Sequence, residues 1–176
     1  MKGVLFGVLE EVVVTYLGED AWDDVIRRSG VDGSYTSLGD YPDAELFAVV
    51  DAIAEVMATP VGDVLVMGGE LGFSLLADRH RYVIEGMNSW REVLEHLDDI
   101  IHPEVRKIYS EAQAPQFDVV SVPDGVVVTY NSKRRLCRLA EGLARGTGAY
   151  FGTPVDVRHL SCVDDGDASC VMHVIG

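Results

Sequence analysis

The run Tyr130-Asn131-Ser132-Lys133-Arg134 puts a phenol, a hydroxyl and a guanidinium at every second position. Residues two apart in extended backbone point to the same side, so the three donors converge if the run ends a strand. A guanidinium matches a carboxylate or phosphate bidentately, and two hydroxyls complete such a shell. The run also reads more plainly, as a strand end followed by a solvated basic helix start at Lys133, Arg134 and Arg135. Upstream, in Asp98-Asp99-Ile100-Ile101-His102-Pro103-Glu104-Val105-Arg106-Lys107, His102 offers a single imidazole, the commonest metal-ligating side chain. Together the two pieces could hold an acidic cofactor at one end and its metal in the middle.

A second cluster involves sulfur. His159 stands three residues before Cys162, Cys170 follows eight residues on, and Cys137 falls on a helix that can pack against them. One imidazole and three thiolates suit tetrahedral zinc; buried cysteines are also inert small hydrophobes. His80, His96 and His173 have no partner pattern and read as surface or ordinary sheet residues. Asp164-Asp165-Gly166-Asp167 lacks the spaced ligands and terminal Glu of a calcium loop and reads as a turn.

These groups need a scaffold. The chain has 176 residues, 48% of them hydrophobic, which suits one domain with a sizeable core. A formal charge of −15 opposes a nucleic-acid or anionic-membrane partner. No apolar run approaches the length of a membrane span, no secretory signal is visible, and three cysteines make no disulfide framework. The expectation is a cytoplasmic protein.

Helical spacing predicts helices over Val4–Tyr16, Glu19–Arg28, Ala44–Met57 and, from a Thr59 cap, Pro60 to about Tyr82, with Gly68-Gly69 as a weak spot. Ser89 caps Trp90–Leu97. His102 precedes Pro103 and is therefore disfavoured in the helical region. Phe117–Val122 and Val126–Tyr130 are β-branched runs around Pro123-Asp124-Gly125, a hairpin signal. Arg134–Gly146 reads as a helix, and Pro154–Leu160 and Ser169–Ile175 as strands. The expectation is α+β: a helical part over about residues 1–112, then a small antiparallel sheet with a crossing helix over about 113–176, forming a single domain 1–176.

The order His102-x-Glu-Val-Arg-Lys, then Pro115-x-Phe117, then Tyr130-x-Ser132-x-Arg134 resembles the haem-nitric oxide/oxygen binding (H-NOX) family, related to the haem domain of soluble guanylate cyclase. The likeness extends to Met1-Lys2-Gly3, to Tyr35-Thr36-Ser37-Leu38-Gly39 and to Leu136-Cys137-Arg138-Leu139-Ala140-Glu141-Gly142-Leu143. It implies a haem b held between the two parts, with His102 as the proximal iron ligand, Tyr130, Ser132 and Arg134 clamping the propionates, and Pro115 pressing on the macrocycle. The family often has two adjacent prolines followed by Arg there; this chain has Ala114 and Gln116. Some members bind zinc at residues like Cys137, His159, Cys162 and Cys170, with thiolate oxidation as a second input.

Oxygen-binding members carry a distal tyrosine in the helix after the clamp; by counting, Leu139 stands there. Leu5, Leu9 and Leu76 are the other expected distal side chains, although Tyr16 or Tyr82 could reach in. Bound oxygen needs a hydrogen-bond donor more than NO or CO does. The resemblance thus implies a non-catalytic nitric oxide sensor that also takes carbon monoxide. NO binding would weaken the iron–His102 bond and shift the helix that carries it. Output would go to a separate protein, such as a histidine kinase or a cyclic-di-GMP enzyme. The alternative is a zinc/thiol redox sensor with haem secondary; an enzyme would need a distal acid or base that the leucines do not supply.

Overall fold

A computed structural model of the chain describes residues 1–109 and 113–176. The expected boundary between the helical and sheet-containing parts, at residue 112, lies outside the described residues.

The chain runs α1 (Gly3–Leu17), α2 (Glu19–Ser29), α3 (Asp43–Met57), α4 (Val61–Arg79), α5 (Trp90–Glu95), α6 (His102–Ile108), β1 (Gln116–Val122), β2 (Gly125–Asn131), α7 (Cys137–Tyr150), β3 (Asp156–Ser161) and β4 (Cys170–Ile175). The α+β expectation holds. All neighbouring strands are antiparallel, in the order β1-β2-β4-β3. Pro123-Asp124 closes the β1–β2 hairpin as the sequence suggests, with Val122 paired to Gly125. Strand alternation buries Val126, Val128 and Tyr130 of β2 beside Cys170, Met172 and Val174 of β4, giving the sheet one apolar face.

Helix α7 crosses to pack on α4, and small residues permit the approach. A Cβ on Gly142 would come within 2.1 Å of the Val66 carbonyl oxygen, and one on Gly69 within 2.6 Å of the Leu139 carbonyl oxygen. Gly68 and Gly69 are therefore buried packing positions, not a weak spot. Tertiary contact here outweighs the modest helix propensity of glycine.

Several points differ from the sequence reading, and α7 for one runs on to Tyr150 rather than stopping at Gly146. Thr59 caps nothing: its hydroxyl donates to the Met57 carbonyl, and the Pro60 carbonyl accepts the first N–H groups of α4. That helix stops at Arg79, short of Tyr82. Helix α7 begins at Cys137, not Arg134, because Arg135 takes a left-handed φ of 53° and the turn before the helix uses its N–H groups on Ser132 and Tyr130. The largest difference concerns His102, which is helical at φ −65°, ψ −36° despite Pro103. The π-helical turn Leu97–Ile101 precedes it, and the His102 N–H reaches back to the Leu97 carbonyl. Pro103 thus enters where the hydrogen-bond ladder already changes register, so its missing N–H falls in the first turn of α6.

Candidate functional site

Between α1, α4, α6, α7 and the inner face of the sheet lies a cavity of about 430 Å³, inside the usual size of a small-molecule or cofactor site, roughly 300–1,000 Å³. Its apolar lining includes Leu5, Phe73, Leu76, Leu97, Val105, Leu139 and Leu143. His102, Pro115, Tyr130, Ser132 and Arg134 all reach it, so the structure brings together both pieces of the sequence motif. Leu9 does not. It lines a smaller void of about 30 Å³, walled with Val64, Leu65 and Gly68 and sharing Leu5, Leu76, Leu139 and Leu143 with the large cavity. Its axial position explains this: Leu9 lies on the same face of α1 as Leu5 but one turn further along, against α4, with a Gly68 Cβ position 3.3 Å from its Cδ2.

The imidazole of His102 is held on both sides. Its Nδ1 lies 2.7 Å from Asp98 Oδ1, and the other carboxylate oxygen accepts the Phe117 N–H at 2.7 Å. The Phe117 ring stacks on the imidazole, with centroids 5.6 Å apart at 30°. A proton on Nδ1 facing Asp98 leaves the Nε2 lone pair free, the usual arrangement for a metal-ligating histidine. Burial lowers the pKa of His102 from its ordinary value, and wins over the opposing Asp98 carboxylate. The ring is therefore biased toward the neutral form a metal requires.

At the other end, the Tyr130 hydroxyl accepts the Leu136 N–H at 3.2 Å, and Ser132 Oγ accepts the Arg134 N–H at 3.2 Å. Burial raises the Tyr130 pKa. Arg134 Nε donates to Asp43 Oδ2 at 2.7 Å, and the Met1 amino group lies 3.0 Å from Asp43 Oδ1. Burial alone would raise the Asp43 pKa, but Arg134 and the amino group together hold it below the usual carboxylate value. Asp43 was not singled out by the sequence, which shows no spacing between α3 and the clamp.

Two further lining residues also escaped the sequence reading. Tyr109, only 5% exposed, places its hydroxyl 3.3 Å from His80 Nε2, and both reach the cavity. His80 is thus a half-buried residue of the cavity rim and not a sheet residue. Tyr16 and Tyr82 do not line the cavity and are 62% and 52% exposed. His96 pairs with Asp99 and His173 with Asp124.

The sulfur cluster is assembled in part. Cys137, Cys162 and Cys170 are buried, and their Sγ atoms all lie within 4.8 Å of one another, with Cys137–Cys162 at 3.5 Å and Cys162–Cys170 at 3.8 Å. Burial pushes the Cys137 and Cys170 thiols up in pKa. His159 does not join that tight group: its Nε2 lies 2.9 Å from Glu141 Oε2. The buried carboxylate of Glu141, one turn beyond Cys137 on α7, holds that nitrogen.

The haem-NO-binding family profile matches residues 2–159. The chain belongs to this family. Solved H-NOX structures agree over the whole length. A mutant form of the S. oneidensis H-NOX protein in the Fe(II) ligation state is 32% identical with a TM-score of 0.94, covering 99% of this chain and 95% of that one. The S. oneidensis protein in the Fe(II)NO ligation state gives 32% and 0.92, covering 99% and 98%. The K. algicida H-NOX protein, Fe(II) and unliganded, gives 25% and 0.88, covering 99% and 96%. No curated protein matches the chain. The family binds haem, and the lining of this H-NOX cavity suits that group: apolar walls for a macrocycle, one imidazole with its Nε2 free, and a guanidinium with two hydroxyls for acidic substituents. Among the described residues no helix is long and apolar enough to cross a membrane.

Proposed function

We propose that this H-NOX domain is a nitric oxide sensor, with a haem b as its cofactor, that excludes oxygen. His102 would ligate the iron, Tyr130, Ser132 and Arg134 would hold the propionates, and Pro115 would press on the macrocycle. Bound there, the haem supplies an iron that takes a diatomic ligand. The single observation carrying the selectivity is the wall formed by Leu5, Leu76 and Leu139, three aliphatic side chains without a hydrogen-bond donor. Oxygen binding depends on such a donor, whereas NO and CO depend on it less. The hydroxyls that reach the cavity from nearby helices have partners of their own, Thr147 with the Leu143 carbonyl and Tyr109 with His80.

The chain's own moving part is α6. His102 opens that helix and follows a π turn, a segment with weaker geometry than α-helix. Asp98 would keep its hold on Nδ1 and, through the Phe117 N–H, on β1, so a change in what His102 Nε2 holds would be felt by α6 against the sheet. That change would be read by a separate signalling protein in the cytoplasm, such as a histidine kinase or a cyclic-di-GMP enzyme. The domain itself is not a catalyst in this account: the leucine wall supplies no acid or base, and the cavity's other imidazole, His80, is engaged by the Tyr109 hydroxyl. His102→Gly supplied with imidazole tests it. The variant should hold haem and bind NO yet leave the partner unresponsive, and a parent-like response would refute the α6 switch.

The three assembled thiols favour a second reading, in which zinc binds Cys137, Cys162, Cys170 and His159 and thiolate oxidation is an input of its own. A His102→Ala protein that still regulates its partner on oxidation would favour that reading over haem.

A further inference from the structure

Glu141 is a buried carboxylate that the gas-sensing account leaves unused. It is 3% exposed, and side chains from α7 and β3 converge on it. Arg138 donates to Oε2 at 2.6 Å, and Arg145 donates to Oε1 through two nitrogens at 3.1 and 2.9 Å. His159 Nε2 lies 2.9 Å from Oε2. The opposite ring nitrogen, His159 Nδ1, is buried and has no hydrogen-bond partner among the described residues. Buried polar atoms are nearly always satisfied, and an unsatisfied one points to an ion, water or function.

A carboxylate only accepts, so its contact with Nε2 places the proton there. Neutral imidazole then carries its lone pair on Nδ1. Full protonation would instead bury an Nδ1–H donor with no acceptor. The two bridges between α7 and the β3 region are adjacent: Cys137 meets Cys162 at 3.5 Å, and one helical turn on, Glu141 meets His159.

We propose that Glu141 is the positioning residue of the zinc site, fixing His159 in the tautomer whose Nδ1 lone pair completes the set of Cys137, Cys162 and Cys170. The inference rests on the zinc reading of the thiols. Metal-ligating histidines characteristically donate their other N–H to a carboxylate, which sets the tautomer and raises basicity. Because α7 also lines the cavity with Leu139, Ala140 and Leu143, Glu141 ties the thiol site to the wall facing the gas.

The test is competitive zinc titration of the haem-loaded full chain against a chelator, for the parent, Glu141→Gln and His159→Ala. It is paired with long-range ¹⁵N NMR of His159 after zinc removal. The parent should bind one zinc and show His159 protonated on Nε2. Glu141→Gln should weaken zinc by about 10–100-fold and lose the tautomer preference, and His159→Ala should weaken zinc at least as much. A parent that binds no zinc overturns both the zinc reading and the role of Glu141. Zinc bound equally by parent and Glu141→Gln, or by parent and His159→Ala, overturns the positioning role and leaves the thiol site standing. Should Glu141→Gln not fold, the parent spectrum decides alone, and a proton on Nδ1 refutes the proposal.

Discussion

Asp98 and His102 stand one turn apart at the junction of a π-helical and an α-helical segment, joined by a 2.7 Å contact from Oδ1 to Nδ1. The same carboxylate accepts the Phe117 N–H and so fixes the imidazole against β1. One side chain thus sets the ring's tautomer, its orientation and its link to the sheet. Replacing Asp98 with Asn keeps the shape but makes the acceptor neutral, and outer-shell changes of this kind cost roughly 10–100-fold in metal affinity. Haem loss from Asp98→Asn, followed by transfer to a haem-scavenging protein, should be faster by about that factor. An unchanged rate would show that Asp98 does not tune His102.

Leu139 faces the cavity from α7. A phenol introduced there would supply the donor that the aliphatic wall lacks. Leu139→Tyr is predicted to give a persistent oxygen complex in air, visible in the absorption spectrum, where the parent gives none. If the variant and the parent behave alike in air, the wall does not set selectivity.

The α4–α7 crossing depends on backbone contact at Gly142, where any Cβ would press on the Val66 carbonyl. Overpacking of this kind costs typically about 1–3 kcal/mol, and a backbone obstacle cannot rotate away. Gly142→Ala should lower the stability of the domain by about 2 kcal/mol or more, measured by urea unfolding.

Much of the scaffold was legible in the sequence because it rests on local patterns. The apolar spacing of α3, the Pro123-Asp124-Gly125 turn and the alternation along β2 each act within a few residues. The motif residues His102, Tyr130, Ser132 and Arg134 were legible too, and the fold carries all four to one cavity. What escaped depends on contacts between distant segments. Asp43 meets Arg134 across 91 positions and Tyr109 meets His80 across 29. The contact of Glu141 with His159 likewise has no trace in spacing. The Asp98–His102 contact escaped as well, because Pro103 argued against helix at His102 and the π turn that allows it leaves no local pattern.

Asp43 supplies the pH dependence. Its pKa is held below the ordinary carboxylate value, about 3.9, because Arg134 and the Met1 amino group outweigh the effect of burial. A depressed carboxylate contributes stability that is present above its unfolded pKa and lost as pH falls through its folded one. The parent should therefore be more stable than Asp43→Asn at neutral pH. In denaturant titrations across the acid range, the gap should close as pH falls below about 4. A gap independent of pH would mean that the Asp43–Arg134 charge pair contributes nothing.

The central claim is that a haem held by His102 faces a donor-free wall and so responds to nitric oxide in the presence of oxygen. The most direct test is the visible spectrum of the reduced, haem-reconstituted protein, taken first in air and then under NO. The account predicts a Soret band that does not move to an oxygen complex in air and shifts when NO is added. A stable oxygen complex would contradict the selectivity, and the absence of any Soret band after reconstitution would contradict the haem site itself.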